Sequence, residues 1–169
     1  MSEIVRSEPQ KEIDFSGFFH AEYERLLRAL YLLTGNADEG EDLAQEAMVR
    51  VLERWDRVRR MASPTGYLFR TALNLHRSRL RRLLVLGRHL VAPTGGSDPA
   101  DEVAARDELG RLLAMLPAGQ REALILVEWV GMDPEAAGAI LGIEPVSVRV
   151  RVSRARTQLR AARGVDIDE

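Results

Sequence analysis

The sequence contains no cysteine, which excludes disulfides, thiolate metal sites and cysteine nucleophiles together. Lysine is nearly absent as well: Lys11 stands alone against 23 arginines. The three histidines, His20, His76 and His89, show no metal-ligand spacing. There is no phosphate loop, no nucleophile elbow and no Ser-His-Asp grouping. No apolar run approaches the roughly 20 residues needed to cross a bilayer. The N-terminus is acidic and polar and does not read as a secretion signal. These absences point away from an enzyme, a cofactor protein or a membrane-inserted protein, and towards the cytoplasm. Strand-like alternation is confined to residues 146 to 152, where Val and Arg alternate, and no internal repeat is visible.

What the sequence has is charge in blocks. Residues 1 to 56 carry 13 acidic and 6 basic side chains, whereas residues 57 to 97 carry nine arginines and no acid. Residues 98 to 144 hold ten acids against three arginines, and residues 145 to 165 hold six arginines and no acid. The net charge of −2 conceals this pattern. Two basic blocks set between acidic ones imply two separate polyanion contacts, flanked by surfaces that repel DNA.

Apolar spacing predicts an all-α chain. Phe18, Phe19, Tyr23, Leu26, Leu27, Leu30 and Tyr31 recur at helical intervals over residues 15 to 34, and Gly35 stops the helix. Asn36 or Asp38 offers the cap for a second helix running to about Trp55. A third runs from about Tyr67 into Leu84, and further helices fall near 102–115, 118–130, 134–141 and 145–162. The Val/Arg alternation reads as helix because the apolar series continues through Val148, Val152, Ala155 and Leu159. Residues 92 to 101, rich in Pro, Gly, Ser and Asp, are the best linker. The expected organisation is two small helical domains, 14–84 and 105–163, joined by a flexible linker over 85–104.

Three helical faces carry candidate chemistry. On the second helix, Asp42, Gln45, Val49 and Glu53 lie opposite the stripe of Leu43, Ala47, Met48, Val51 and Trp55, with Glu46 at the edge. That face is either a solvated acidic surface or a dock for a basic partner. On the third, Tyr67, Arg70, Asn74, Arg77 and Arg81 oppose Leu68, Ala72, Leu75 and Leu83. An aromatic ring for stacking, an amide for base edges and guanidiniums for phosphates suit single-stranded nucleic acid. The last two helices form a candidate helix-turn-helix. Asp133-Pro134-Glu135 starts the first and Gly142 supplies the turn. The second presents Val146, Ser147, Val150, Ser153, Arg154 and Thr157, flanked by Arg149, Arg151, Arg156 and Arg160. Small and apolar residues bordered by arginines are what a major-groove helix needs.

The order of these features resembles the extracytoplasmic-function sigma factors of bacterial RNA polymerase. Ala37 to Arg82 looks like sigma region 2, and Leu116 to Arg160 looks like sigma region 4. Asp42-Leu43-Ala44-Gln45-Glu46 is similar to the family's polymerase-binding motif, which docks on the clamp helices of the β′ subunit. The resemblance therefore implies polymerase contacts by Asp42, Leu43, Gln45, Glu46 and Val49. It also implies capture of unpaired −10 bases by Tyr67, Arg70, Asn74, Arg77 and Arg81. Reading of the duplex −35 element falls to Ser147, Arg149, Val150, Ser153, Arg154 and Thr157. The partners implied are core polymerase, through β′ and β, promoter DNA and an anti-sigma factor. The chain departs from the family pattern at Leu73, where Arg is frequent before Asn74, at Glu144, where Ser or Pro is common, and at Pro64-Thr65, where the base-capturing loop lacks an aromatic. Two other readings compete. A stand-alone helix-turn-helix regulator would dimerise on a palindrome. A helical protein-interaction module would explain the acidic helices but not both arginine blocks.

Overall fold

The computed structural model describes residues 14–86 and 108–164, and all regular structure within them is helical. None of these helices is long and apolar enough to cross a membrane. The expected linker lies outside the described residues, apart from residues 85 and 86 at the end of the third long helix.

Helix α1, Phe15–Thr34, starts at Asp14, whose carboxylate accepts from the Gly17 amide at 2.8 Å. It ends in a left-handed Gly35. Helix α2, Ala37–Leu52, is capped by Asn36, the first of the two candidates, which accepts from the Glu39 amide at 3.0 Å. It stops three residues before Trp55, which instead opens a separate short helix, α3, Trp55–Val58. The indole of Trp55 lies 5.6 Å from the Phe15 ring and 5.0 Å from the Phe18 ring. Aromatic packing on the start of α1 thus turns the chain where periodicity alone would extend α2. Helix α4, Pro64–Val85, begins three residues earlier than expected because Ser63 caps it and Pro64 fits its first turn.

After a helical stretch over 108–114, termed α5, come α6, Ala118–Leu124, then α7, Pro134–Leu141, and α8, Pro145–Ala162. The single helix expected over 118–130 is interrupted by a π turn, Ile125–Trp129, in which the Val130 amide donates to the Ile125 carbonyl at 3.0 Å. Asp133 caps α7 through the Ala136 amide at 2.7 Å, and Gly142 makes the turn to α8 at φ 71°. Gly138 lets α7 meet that turn closely, since a Cβ there would sit 2.6 Å from the Ile143 carbonyl oxygen.

The N-terminal helices bury Leu26, Leu30, Leu43, Ala47, Val51, Val58, Leu68 and Phe69, while the C-terminal ones bury Leu113, Leu124, Ile140, Val148, Val152 and Ala155. The two groups are in contact: α4 packs on α7, and α1 on the π turn. Leu26, Leu30, Leu33, Phe69 and Leu73 line a small apolar seam with Ile125 and Leu126. Each large aliphatic side chain buried there is worth roughly 1.5–3 kcal/mol.

Candidate functional site: three faces on three helices

The α2 face forms as its wheel requires, with one difference of depth. Asp42, Gln45 and Val49 are exposed, but Leu43 is fully buried and supports the face from within. Glu46 is half-buried and held by two arginines, Arg50 at 2.8 Å and Arg79 of α4 at 3.0 Å. Partial burial works to raise its carboxyl, but the hydrogen bonds from Arg79 and Arg50 outweigh it and keep the pKa below the ordinary glutamate value. Leu52 is as exposed as Val49, one turn further along the same face. The sequence carried a signal for it: an aliphatic residue at the polar register. Together Asp42, Val49 and Leu52 make an acidic surface with an apolar rim.

On α4, Ser63 and Thr65 fix the entry. Thr65 donates its hydroxyl to Glu22 Oε1 at 2.9 Å, and Arg25 donates to Glu22 Oε2 at 2.9 Å, so the buried Glu22 carboxylate ties the first turn of α4 to α1. Tyr67 lies half-buried, and its hydroxyl accepts from Arg54 Nη1 at 3.1 Å. That bond raises the Arg54 pKa. Arg54, at the start of α3, therefore joins this face; its distance from Tyr67 in sequence hid it. Asn74 and Arg81 are exposed. Arg70 and Arg77 are engaged elsewhere. Arg70 donates to the Ala139 carbonyl of α7, and Arg77 makes a two-point contact with Glu122 of α6, at 2.9 Å from Nε and 2.5 Å from Nη2. The hydrogen bond to Glu122 raises the Arg77 pKa. Leu73, the departure noted in the sequence, is buried in the apolar seam.

On α8, Val148, Val152 and Ala155 face the core, while Val146 and Val150 are exposed beside Ser153, Arg154 and Thr157. Ser147 is partly covered. Arg149 is paired with Glu135 of α7 at 2.7 Å, and Arg156 with Glu128. Arg154 has no ion pair or hydrogen bond with the described residues and stands free to meet a polyanion or a base edge. Glu144 occupies the cap of α8 without accepting a side-chain hydrogen bond, as its length predicts.

The family model described as Sigma-70 region 2 matches residues 18–83, and that described as Sigma-70 region 4 matches residues 106–159. The chain is 37% identical over 145 residues to the ECF RNA polymerase sigma factor EcfG of Rhodopseudomonas palustris, covering 83% of this chain and 80% of that protein. It is 27% identical over 150 residues to the RNA polymerase sigma-E factor of Streptomyces avermitilis, covering 88% and 84%. Among solved structures it is similar to the sigma factor RpoE in complex with the anti-sigma factor NepR from Bartonella quintana. That match has a TM-score of 0.81 at 25% identity and covers 90% of this chain and 98% of that one.

Proposed function

Since the chain belongs to the extracytoplasmic-function sigma factors of RNA polymerase, a family of promoter-specific initiation subunits and not of enzymes, we propose how its three faces divide that work. The α2 face, Asp42, Gln45, Glu46 and Val49 with Leu52 added, docks on the β′ clamp helices. The α4 face, Tyr67, Arg70, Asn74, Arg77 and Arg81 with Arg54 added, holds unpaired −10 bases. The α8 face, Ser147, Arg149, Val150, Ser153, Arg154 and Thr157, reads the −35 duplex.

The observation that carries this reading is the pairing of two nucleic-acid faces of different character on one chain. The α8 face offers aliphatic, hydroxyl and free guanidinium groups on an exposed helix, as groove reading requires. The α4 face offers a ring, an amide and arginines, as unpaired bases require. Two contacts on one promoter then act in a bivalent manner once polymerase fixes their separation. An anti-sigma factor is the proposed inhibitory partner, by analogy with the RpoE–NepR complex. The site of action is the cytoplasm, with the polymerase. The test is run-off transcription with core polymerase over a genomic promoter library. A transcript that appears only with this chain is the expected result. Sequence-specific binding as a free dimer, with no factor-dependent transcript, would reverse the reading in favour of a stand-alone regulator.

A further inference from the structure

The two carboxylates of the α2 face are held differently. Asp42 is exposed and makes no ion pair or hydrogen bond with the described residues. Glu46 has both oxygens engaged: Oε1 accepts from Arg50 at 2.8 Å and Oε2 from Arg79 at 3.0 Å. Arg50 lies one turn along the same helix, and 50% of its side chain is exposed. Pairs of that kind are loosely held and stabilise little. Arg79 is a different case. It comes from α4, and only 30% of its side chain is open to solvent. At helical spacing it continues the buried stripe of Leu68, Ala72 and Leu75, where an apolar residue is expected. An arginine in that register is directed away from the Tyr67, Asn74 and Arg81 face, and its guanidinium ends on Glu46 of α2. A carboxylate offers about four lone-pair sites, so two bonds leave Glu46 able to accept from a partner's donors as well.

We infer that Arg79 is a positioning residue for polymerase docking: from α4 it fixes the Glu46 carboxylate on the α2 face, ready to accept from the partner. The inference rests on the assignment of the α2 face to docking given above. A glutamate side chain that is free before binding loses rotamer freedom at the moment of docking, whereas one already fixed from α4 has lost it on folding. The sign of the effect separates positioning from mere charge. A cation on a face that meets a basic partner opposes binding, so its removal strengthens binding if charge is all that it contributes. Loss of a positioning residue weakens binding instead.

The test is a double-mutant cycle on the full chain, read as equilibrium affinity for immobilised bacterial core polymerase. Arg79→Met is compared with the parent and then repeated in a Glu46→Ala background. All variants are first shown to be folded at the binding temperature by circular dichroism. Arg79→Met should weaken core binding by about three- to tenfold, the range for ordering one long side chain on association. In the Glu46→Ala background the same change should weaken binding no further, because nothing is left for Arg79 to position. Unchanged or tighter binding by Arg79→Met alone would overturn the inference and leave Arg79 as a bystander charge. An equal loss in both backgrounds would also overturn it, since Arg79 would then act on the partner directly or through the fold. If Asp42→Arg and Glu46→Ala both bind core at parental affinity, the assignment of α2 to docking fails, and the role of Arg79 fails with it. Should Arg79→Met not fold, Arg79→Gln takes its place in the cycle with the same expected losses, and the same results would overturn the inference.

Discussion

Asp42 and Glu46 lie one turn apart on α2, yet substitution at each asks a different question. Asp42 is exposed and makes no ion pair or hydrogen bond with the described residues, so Asp42→Arg changes what a partner meets and little else. It should weaken binding to core polymerase at least about tenfold with unchanged helicity, since a reversed charge repels a basic surface. Co-purification at parental yield would refute the docking assignment. Glu46 also holds Arg50 and Arg79, so its reversal mixes docking with the α2–α4 contact. On the DNA faces, Arg154→Ala should reduce −35 recognition by about 5- to 150-fold, the range for one lost base-edge pairing. Asn74→Ala should impair opening or −10 discrimination. Comparing both on a normal duplex and on a template pre-melted across −10 separates them, because pre-melting relieves only the opening defect. Full rescue of Arg154→Ala, with Asn74→Ala unmoved, would exchange the two assignments.

Two helix starts were legible in the sequence because their signals are local, whereas the equally local Ser63-Pro64 start of α4 was read as an interruption. Asp133 and Asn36 cap α7 and α2 through amides three residues on, and such bonds depend on nothing distant. The end of α2 was not legible, because Trp55 leaves the helix to meet Phe15 and Phe18, some forty positions earlier. The same locality supports two predictions for the helix-turn-helix. Glu144→Ser supplies the missing cap of α8 and should stabilise the chain by about 0.5–1 kcal/mol. An unchanged urea midpoint would refute it. Gly138→Ala drives a methyl against the Ile143 carbonyl and should cost about 1–3 kcal/mol. Duplex binding should fall alongside the midpoint, because the clash lies where α7 sets the angle of α8; a midpoint at or above the parent's would show that the turn can give way.

At the scale of the whole molecule, the three faces were readable from helical periodicity, but their mutual arrangement was not. Arg77 and Glu122 are 45 positions apart, and nothing local marks them as partners. His76 shows the same limit, since the sequence gives it no role and the structure buries it where α2, α4 and α6 meet. Its Nδ1 has no hydrogen-bond partner among the described residues and lies 4.0 Å from Glu39, and the charges of Glu122, Arg121, Arg77 and Arg79 act on the ring. Burial lowers its pKa from the ordinary 6.5, with the three arginines adding to the effect and Glu122 opposing it. The unfolded chain therefore takes up a proton before the folded one does, so stability should be flat above about pH 6.5 and decline below it. Urea midpoints at pH 7.5 and 5.5 should differ for the parent and differ less for His76→Gln. Equal differences would place the acid sensitivity elsewhere.

The π turn sets the phase of everything after it. An α-helix advances about 100° per residue, so one surplus residue accommodated in a wide turn rotates the following chain by roughly that angle without lengthening the helix much. In this chain the surplus sits between α6, which presents Glu122 to Arg77, and Val130, whose carbonyl receives Arg25. Removing one residue from Ile125–Trp129 would restore regular winding and turn the helix-turn-helix away from α1 like a misindexed gear. The Arg77–Glu122 and Arg25–Val130 contacts could not then both form, so a one-residue deletion would part the two helical groups more completely than any single change of charge.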